Sequence, residues 1–221
     1  MSHLKQGLFI TFEGGEGAGK TTLIESIQKE LQAQGLDVVK TREPGGTDLG
    51  EAIRPLLLNH SQKGPVSPYA ELCLFLASRA QHILEVIRPA LQARKVVLCD
   101  RFNDSSIAYQ GVARGLGKES VTQFCSFVSE GLEPHLTLYL DVDPEIGLTR
   151  AKQDRSQDRI ESEGSLFHKK IRNGYLSIHR DHPKRFHLIN ASLSPQEVYK
   201  EAMQSIRPLL LAFLGARVEK S

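Results

Sequence analysis

Along this 221-residue chain, short apolar runs alternate with longer stretches whose apolar positions recur every three or four residues. Residues 8–13 (LFITFE) run into a glycine pair, the pattern of a buried strand entering a loop. Residues 20–34 put Leu23, Ile24, Ile27 and Leu31 on one helical face, and Gly35 supplies the stop. Further strands are predicted at 38–41, 95–100 (KVVLCD), 136–141 (LTLYLD) and 186–189. Helices are predicted at 49–58, 67–93, 105–110, 118–131, 144–155 and 166–179. A closing helix spans 194–214, with Ser194 as its cap and Pro195 at its first position. Residues 156–165 are polar and poor in apolar side chains, and read as a mobile surface segment.

Strands alternating with helices predict an α/β protein, its five-stranded parallel sheet covered on both faces. The length suits one three-layer domain over residues 1–221, with a short lid at about 150–165. Composition adds little: 40% hydrophobic and 24% charged residues are ordinary globular usage. A net charge of +2, from 28 basic and 26 acidic residues, gives no global signal for nucleic acid or a membrane surface. Cys73, Cys99 and Cys125 stand singly in apolar surroundings, without CxxC spacing, and read as buried thiols in a reducing compartment. With no apolar leader and no run near 18 apolar residues, a soluble, cytoplasmic protein is expected.

The chemistry begins where the first strand ends. Gly14-Gly15-Glu16-Gly17-Ala18-Gly19-Lys20-Thr21 matches the phosphate-loop pattern G-x-x-x-x-G-K-S/T in full, between a predicted strand and a predicted helix. Glycines let the backbone turn so that several N–H groups face phosphate oxygens, and the helix adds the positive end of its dipole. Lys20 suits the β- and γ-phosphates, and the Thr21 hydroxyl suits Mg²⁺. Asp100 closes the strand VVLCD, a setting for an acid that holds Mg²⁺, though a strand-ending Asp can also simply cap a turn. The guanine-reading strings of GTPase switches, N-K-x-D and D-x-x-G, do not occur.

A second anion-binding cluster separates a kinase from a bare nucleotide-binding module. Three segments should meet at the carboxyl ends of the strands: TREPGGT at 41–47, Phe75 with Arg79, and Asp100-Arg101-Phe102 with Ser105, Ser106, Tyr109 and Gln110. Phe75 and Arg79, four residues apart on a helix, set an aromatic face beside a guanidinium, which suits stacking on a base and bonding a ring carbonyl. Phe75 could equally be core, Arg79 an exposed helix charge, and Tyr109 a residue packed against the sheet.

GGEGAGKTT, TREPGGT, ELCLFLASR, VVLCDRF, SSIAYQG with ARG after it, LTLYLDV and DRIE, in that order, resemble bacterial thymidylate kinases over residues 8–199. The resemblance implies transfer of the ATP γ-phosphoryl group to dTMP, giving dTDP, in a cytoplasmic homodimer that needs Mg²⁺. It implies an ATP site that runs from Gly14 through Thr22. It further implies that Phe75 stacks on thymine, that Arg79 contacts its O4, and that Ser106 and Gln110 hold the base. Tyr109 would pack on the deoxyribose, Arg101 would bridge the acceptor and transferring phosphates, and Arg54 would approach the acceptor phosphate. Arg42, Glu43 and Pro44 would shape the pocket wall, and Glu16 would stand near the sugar 3′-hydroxyl and the metal.

Residues 150–172 hold seven basic side chains against four acidic ones, which suits either a solvated loop or a lid that closes over ATP. Some thymidylate kinases carry an arginine inside the phosphate loop and others supply it from the lid. Gly17 stands where that loop arginine would be, so the sequence resembles the lid-arginine type. Arg155 is the first choice for the catalytic lid residue and Arg150 the next, with Arg159 tied to lid structure or the adenine side. The competing readings are a P-loop kinase with a neutral acceptor, such as a deoxynucleoside, and a nucleotide-dependent switch without turnover. Arg42, Arg54 and Arg101 favour an acceptor that already carries phosphate.

Overall fold

The structure is a computed structural model and describes residues 7–59, 64–154 and 158–218. In chain order its elements are β1 (Leu8–Gly14), α1 (Lys20–Ala33), β2 (Val38–Arg42), α2 (Asp48–Leu58) and α3 (Pro68–His82). A π-helical turn (Ile83–Ile87) joins α3 to α4 (Arg88–Gln92), followed by β3 (Val96–Asp100) and α5 (Asn103–Ser106). A second π-helical stretch (Ile107–Ala113) leads to α6 (Lys118–Val128), β4 (Leu136–Asp141) and α7 (Pro144–Asp154). The described chain closes with α8 (Ser165–Asp181), β5 (Phe186–Asn190) and α9 (Pro195–Val218).

The five strands pair in parallel in the order β2-β3-β1-β4-β5. Alternation along β1 sorts its side chains into two layers. Leu8, Ile10 and Phe12 face α1 and α9, and pack with Ile24, Ile27, Ile206 and Phe213. Phe9 enters the opposite layer with Ile83, Ile87 and Phe102, while Tyr139, Tyr175 and Phe186 form a neighbouring cluster there. Thr11 and Glu13, also on that second face, are buried polar exceptions. The register sets Phe12 and Arg42 opposite Asp100, and Gly14 opposite Leu140, so the ends of four strands meet along one edge.

The predicted α/β architecture, the strands and the capped last helix are all present. Ser194 and Glu197 form a reciprocal cap, the Ser194 N–H and hydroxyl donating to the Glu197 carboxylate at 3.0 and 2.6 Å. Three expectations need correction. The helix expected over 67–93 is interrupted by the turn Ile83–Ile87, because Pro89 has no N–H to donate and its ring crowds the carbonyl one turn back. Cys73 is exposed, unlike Cys99 and Cys125, because it lies on the outward face of α3 beside the inward pair Leu72 and Leu76. The described part of the segment read as mobile is docked instead. Ile160 and Glu161 are 5% and 2% exposed, and the Asp158 carboxylate accepts from both of their N–H groups at 2.9 Å.

The phosphate loop presses against the start of α7. Gly17 has φ +65°, and a Cβ there would meet the Gly147 carbonyl oxygen at 2.0 Å. Reciprocally, a Cβ on Gly147 would stand 2.3 Å from the Glu16 carbonyl oxygen. The position that could have held an arginine is therefore closed by backbone. Gly147→Ala should displace Glu16 and lower kcat/KM for the nucleotide expected at the loop by about tenfold or more, the scale of a misplacement near 1 Å. Steady-state kinetics paired with a thermal melt would check this.

Candidate active site

A cavity of about 960 Å³ opens along the carboxyl edge of the sheet. One wall is the loop Glu16, Gly17, Ala18 and Gly19 with Lys20, Thr21 and Thr22 of α1. Gly14 and Gly15 stand behind that wall, where their carbonyls accept from Lys20 Nζ at 3.1 Å each. Burial and the neighbouring Arg101 hold the Lys20 ammonium below the usual lysine range, against the pull of Asp100 and Glu16. The other wall carries Arg42, Glu43, Pro44, Arg54, Phe75, Asp100, Arg101, Ser106, Tyr109 and Gln110, with Arg150 and Asp158 at the margin. The structure thus gathers most of the predicted residues of both halves around one space.

Arg101 joins the two walls. Its Nη2 donates to Glu16 Oε1 at 2.7 Å, its Nη1 donates to the Gly14 carbonyl at 3.0 Å, and its guanidinium lies 5.1 Å from the Tyr109 ring centroid. Its backbone has φ 71°, a left-handed conformation that costs a non-glycine residue about 1–3 kcal/mol. The Arg101 N–H pins it to the Phe12 carbonyl at 3.0 Å. Glu16 also accepts from the Tyr109 hydroxyl at 3.0 Å. Burial would raise the Glu16 pKa, but Arg101, Lys20 and that hydroxyl override it and hold the carboxyl at about 2.

Glu13 lies directly beneath this edge and behaves in the opposite way. Its carboxylate accepts from the Phe102 N–H at 2.8 Å, the Ser105 hydroxyl at 2.5 Å and the Tyr175 hydroxyl at 2.8 Å. Burial and the nearby charge of Asp104 outweigh those bonds and push Glu13 up to about 7.

The wall that carries Phe75 is layered. Phe75 is half-buried and faces the cavity, whereas Arg79 sits behind it, 1% exposed and outside the lining. Arg79 donates to Glu43 Oε2 at 2.7 Å, to Ser106 Oγ at 3.0 Å and to the Phe102 carbonyl at 3.0 Å. The second Glu43 oxygen lies 3.0 Å from His82 Nδ1. Arg54 Nη1 reaches the Pro44 carbonyl at 2.7 Å, and Arg42 pairs with Glu51 at 2.9 Å. Gln110 is 1% exposed and donates to Glu71 Oε1 at 2.8 Å.

Of the lid arginines, Arg155 lies outside the described residues. Arg150 donates to the Ala191 carbonyl at 3.0 Å, and Arg159 is engaged by the Leu57 carbonyl at 2.8 Å and Glu71 at 2.5 Å. Sequence reasoning assigned no role to Glu13, Glu71, Arg114 or Tyr175, although Glu71 and Arg114 lie in strings that carry the resemblance. Glu71 was within reach, since it lies one turn before Phe75 on the same helix. Tyr175 gave no local signal, because it arrives from α8 through packing alone.

One Asp100 oxygen, Oδ1, is buried without a hydrogen-bond partner among the described residues, and Asp100 lines the cavity beside Thr21. Also among the described residues, no three His, Cys, Asp or Glu side chains cluster as a metal cage, and no helix is long and apolar enough to cross a membrane.

A phosphate loop at the edge of a parallel sheet, facing an arginine-lined second wall across one cavity, defines a P-loop nucleotide kinase. The sequence model of thymidylate kinase matches residues 12–202. The chain is 50% identical over 206 residues to thymidylate kinase of Protochlamydia amoebophila, spanning 90% of this chain and 92% of that protein. It is 47% identical over 211 residues to thymidylate kinase of Shouchella clausii, spanning 95% and 99% respectively. The crystal structure of thymidylate kinase from Ehrlichia chaffeensis aligns with a TM-score of 0.74 at 33% identity, covering 90% of this chain and 98% of that one. This chain belongs to the thymidylate kinase family, whose phosphate donor is ATP.

The two carboxyls set apart by their surroundings predict a pH signature. Between about pH 4.5 and 7 the unfolded chain releases the Glu13 proton while the folded chain keeps it, so folded stability falls as pH rises through that window. Glu13→Gln should lack that loss, on the order of 3 kcal/mol, and the two proteins should run parallel above about pH 7. Urea unfolding at half-unit pH steps would show it.

Proposed function

We propose that this chain catalyses ATP + dTMP = ADP + dTDP by direct in-line transfer within the one cavity. A phosphate oxygen of dTMP forms the new bond to the γ-phosphorus as the bond to the β,γ-bridging oxygen of ATP breaks, and ADP leaves with that electron pair. Such transfer asks the protein for alignment and positive charge more than for covalent chemistry.

The loop from Gly14 to Thr22 holds the ATP phosphates, with Lys20 exchanging the Gly14 and Gly15 carbonyls for the β- and γ-phosphates. Arg101 spans the acceptor and transferring groups, and Glu16 orients it while facing the sugar 3′-hydroxyl. Arg54 and Arg42 meet the acceptor phosphate side, and Glu43 and Pro44 form the wall beside them. Phe75 stacks on thymine, Ser106 and Gln110 hold its edge, and Tyr109 fills the space a ribose 2′-hydroxyl would need. Arg79 approaches O4 from behind the wall, through the edge it shares with Ser106.

Thr21, through its hydroxyl, and Asp100, whose Oδ1 has no hydrogen-bond partner among the described residues, would hold Mg²⁺. When bound it neutralises phosphate charge in the transition state. Arg155, with Arg150 next, supplies the lid charge that the Gly17 position lacks. The observation that carries the reading is the joining of loop and acceptor wall by Arg101 and Glu16 at 2.7 Å, in a cavity that also holds Arg42 and Arg54. Two further arginines on that wall suit an acceptor that already carries phosphate better than a neutral one. Tyr69, Leu84, Phe124 and Phe127 are exposed on the neighbouring helical region of α3, its π-helical extension and α6, which supports a homodimer through helix packing.

An ADP-release assay across dTMP, dUMP, dCMP, dGMP and thymidine should show a preference for dTMP; faster turnover of thymidine would overturn this reading. Lys20→Ala and Arg101→Ala should each lower kcat by about 10²-fold or more. Arg155→Ala should depress kcat more than dTMP affinity, and a pure affinity loss would make it a binding residue. Light scattering should give twice the 24.6 kDa chain mass, and Phe127→Lys should return it to the monomer value.

A further inference from the structure

Glu71 is a charged side chain in the second core layer, 1% exposed, that the proposed chemistry leaves without a role. It projects from α3 one turn before Phe75. Its Oε1 accepts from Gln110 Nε2 at 2.8 Å and from Arg114 Nε at 3.2 Å. Its Oε2 accepts from Arg114 Nη2 at 3.2 Å and from Arg159 Nη2 at 2.5 Å. Two guanidiniums and an amide thus surround one carboxylate. Burial alone would favour its neutral form, yet these donors hold its pKa below the ordinary glutamate value, so it is ionised at neutral pH. Both arginines are fixed in turn: Arg114 lies 4.4 Å from the Phe167 ring centroid and pairs with Glu163, while Arg159 grips the Leu57 carbonyl.

A carboxylate with that charge accepts hydrogen bonds and cannot donate them. The Gln110 group facing it must therefore be the amide NH₂, since a carbonyl oxygen at 2.8 Å would repel it. The end of a glutamine side chain is otherwise free to flip, because its two faces are nearly identical in shape. Here the flip is decided from behind: Nε2 is taken by Glu71, and Gln110 lines the cavity with Phe75 and Ser106, so its carbonyl Oε1 is left to face the substrate side. An acceptor at that point pairs with a ring N–H. Thymine and uracil present N3–H there, whereas cytosine presents a bare N3 lone pair.

We propose that Glu71 is a positioning residue for base selectivity: by locking the Gln110 amide with its carbonyl towards the substrate, it makes the site accept pyrimidine-2,4-diones and reject cytosine. This rests on the thymidylate kinase reading of the cavity. A site built around a fixed acceptor rejects a base lacking the matching donor more strongly than shape alone can, because the mismatch leaves two acceptors face to face in a buried setting.

The test compares dUMP with dCMP, which share the sugar, the phosphate and the absence of a 5-methyl group. In the wild-type chain kcat/KM should favour dUMP over dCMP by about 10²-fold or more; equal turnover of the two would overturn the proposal. In Glu71→Gln the new amide can face Gln110 with either end, so the lock is lost. The dUMP/dCMP ratio should then fall by about tenfold or more, mainly through KM, with kcat for dTMP less affected. A uniform loss on dTMP, dUMP and dCMP that preserves the ratio would show a structural role only, and would also overturn it. If Glu71→Gln does not fold by circular dichroism, Glu71→Asp carries the same comparison. It keeps a charge between the two arginines and withdraws it from Gln110 by one methylene, and the same narrowing of the ratio is expected. Absence of dTMP turnover in the wild-type chain would instead overturn the underlying functional reading.

Discussion

The site depends on how the single guanidinium of Arg101 is held. It is anchored to the phosphate loop through the Gly14 carbonyl and Glu16, to the acceptor side through the Tyr109 ring, and to the core through Ser105. That geometry requires a left-handed backbone at residue 101, which the Phe12 carbonyl on the neighbouring strand holds in place. The phosphate loop and the opposite wall of the cavity are thus set against each other before any ligand arrives. For a reaction limited by alignment, this preorganisation removes much of the entropic cost.

Beneath that contact the fold carries an unusual load of buried charge. Glu13, Glu43, Glu71 and Asp104 are all nearly inaccessible, each on the sheet face that supports the base and acceptor walls. Three of them are met by arginines: Glu43 by Arg79, Glu71 by Arg114 and Arg159, and Asp104 by Arg185. Replacing such pairs with hydrocarbon would be neutral or stabilising in many proteins, so stability is a poor reason for their presence. What they supply is direction. A buried ion pair has few acceptable geometries, and two of these pass their orientation to a group at the cavity: Glu43 through Arg79 to Ser106, and Glu71 to Gln110. Glu13 differs: burial and the nearby charge of Asp104 outweigh its hydrogen bonds to two hydroxyls and an N–H, and it retains its proton to about pH 7.

Close backbone contact plays the same part on the donor side. The Gly17–Gly147 approach ties the phosphate loop to α7, the helix that leads towards the lid. Arg159 ties the following turn to α2 and α3. The segment read from its polarity as solvated is therefore clipped down, at least over its described part, by charges whose partners are distant in sequence.

Much of this was legible along the chain because it is local. The strands and helices follow from runs and periodicity, and the phosphate loop from contiguous glycines ending in Lys20 and Thr21. The second substrate wall was legible because family-specific strings surround Arg42, Phe75, Arg101 and Gln110. What tertiary structure alone decided was depth and partnership. Phe75 and Arg79 lie one turn apart, yet only Phe75 reaches the cavity, because Glu43 from another element draws Arg79 behind the wall. Glu71 had no role along the chain; Gln110, Arg114 and Arg159, between 39 and 88 residues away, close around it only in the fold. Periodicity assigns a side chain to a face and a motif assigns it a chemistry. Which atom it presents is set by neighbours brought from elsewhere in the chain, and no local pattern encodes them.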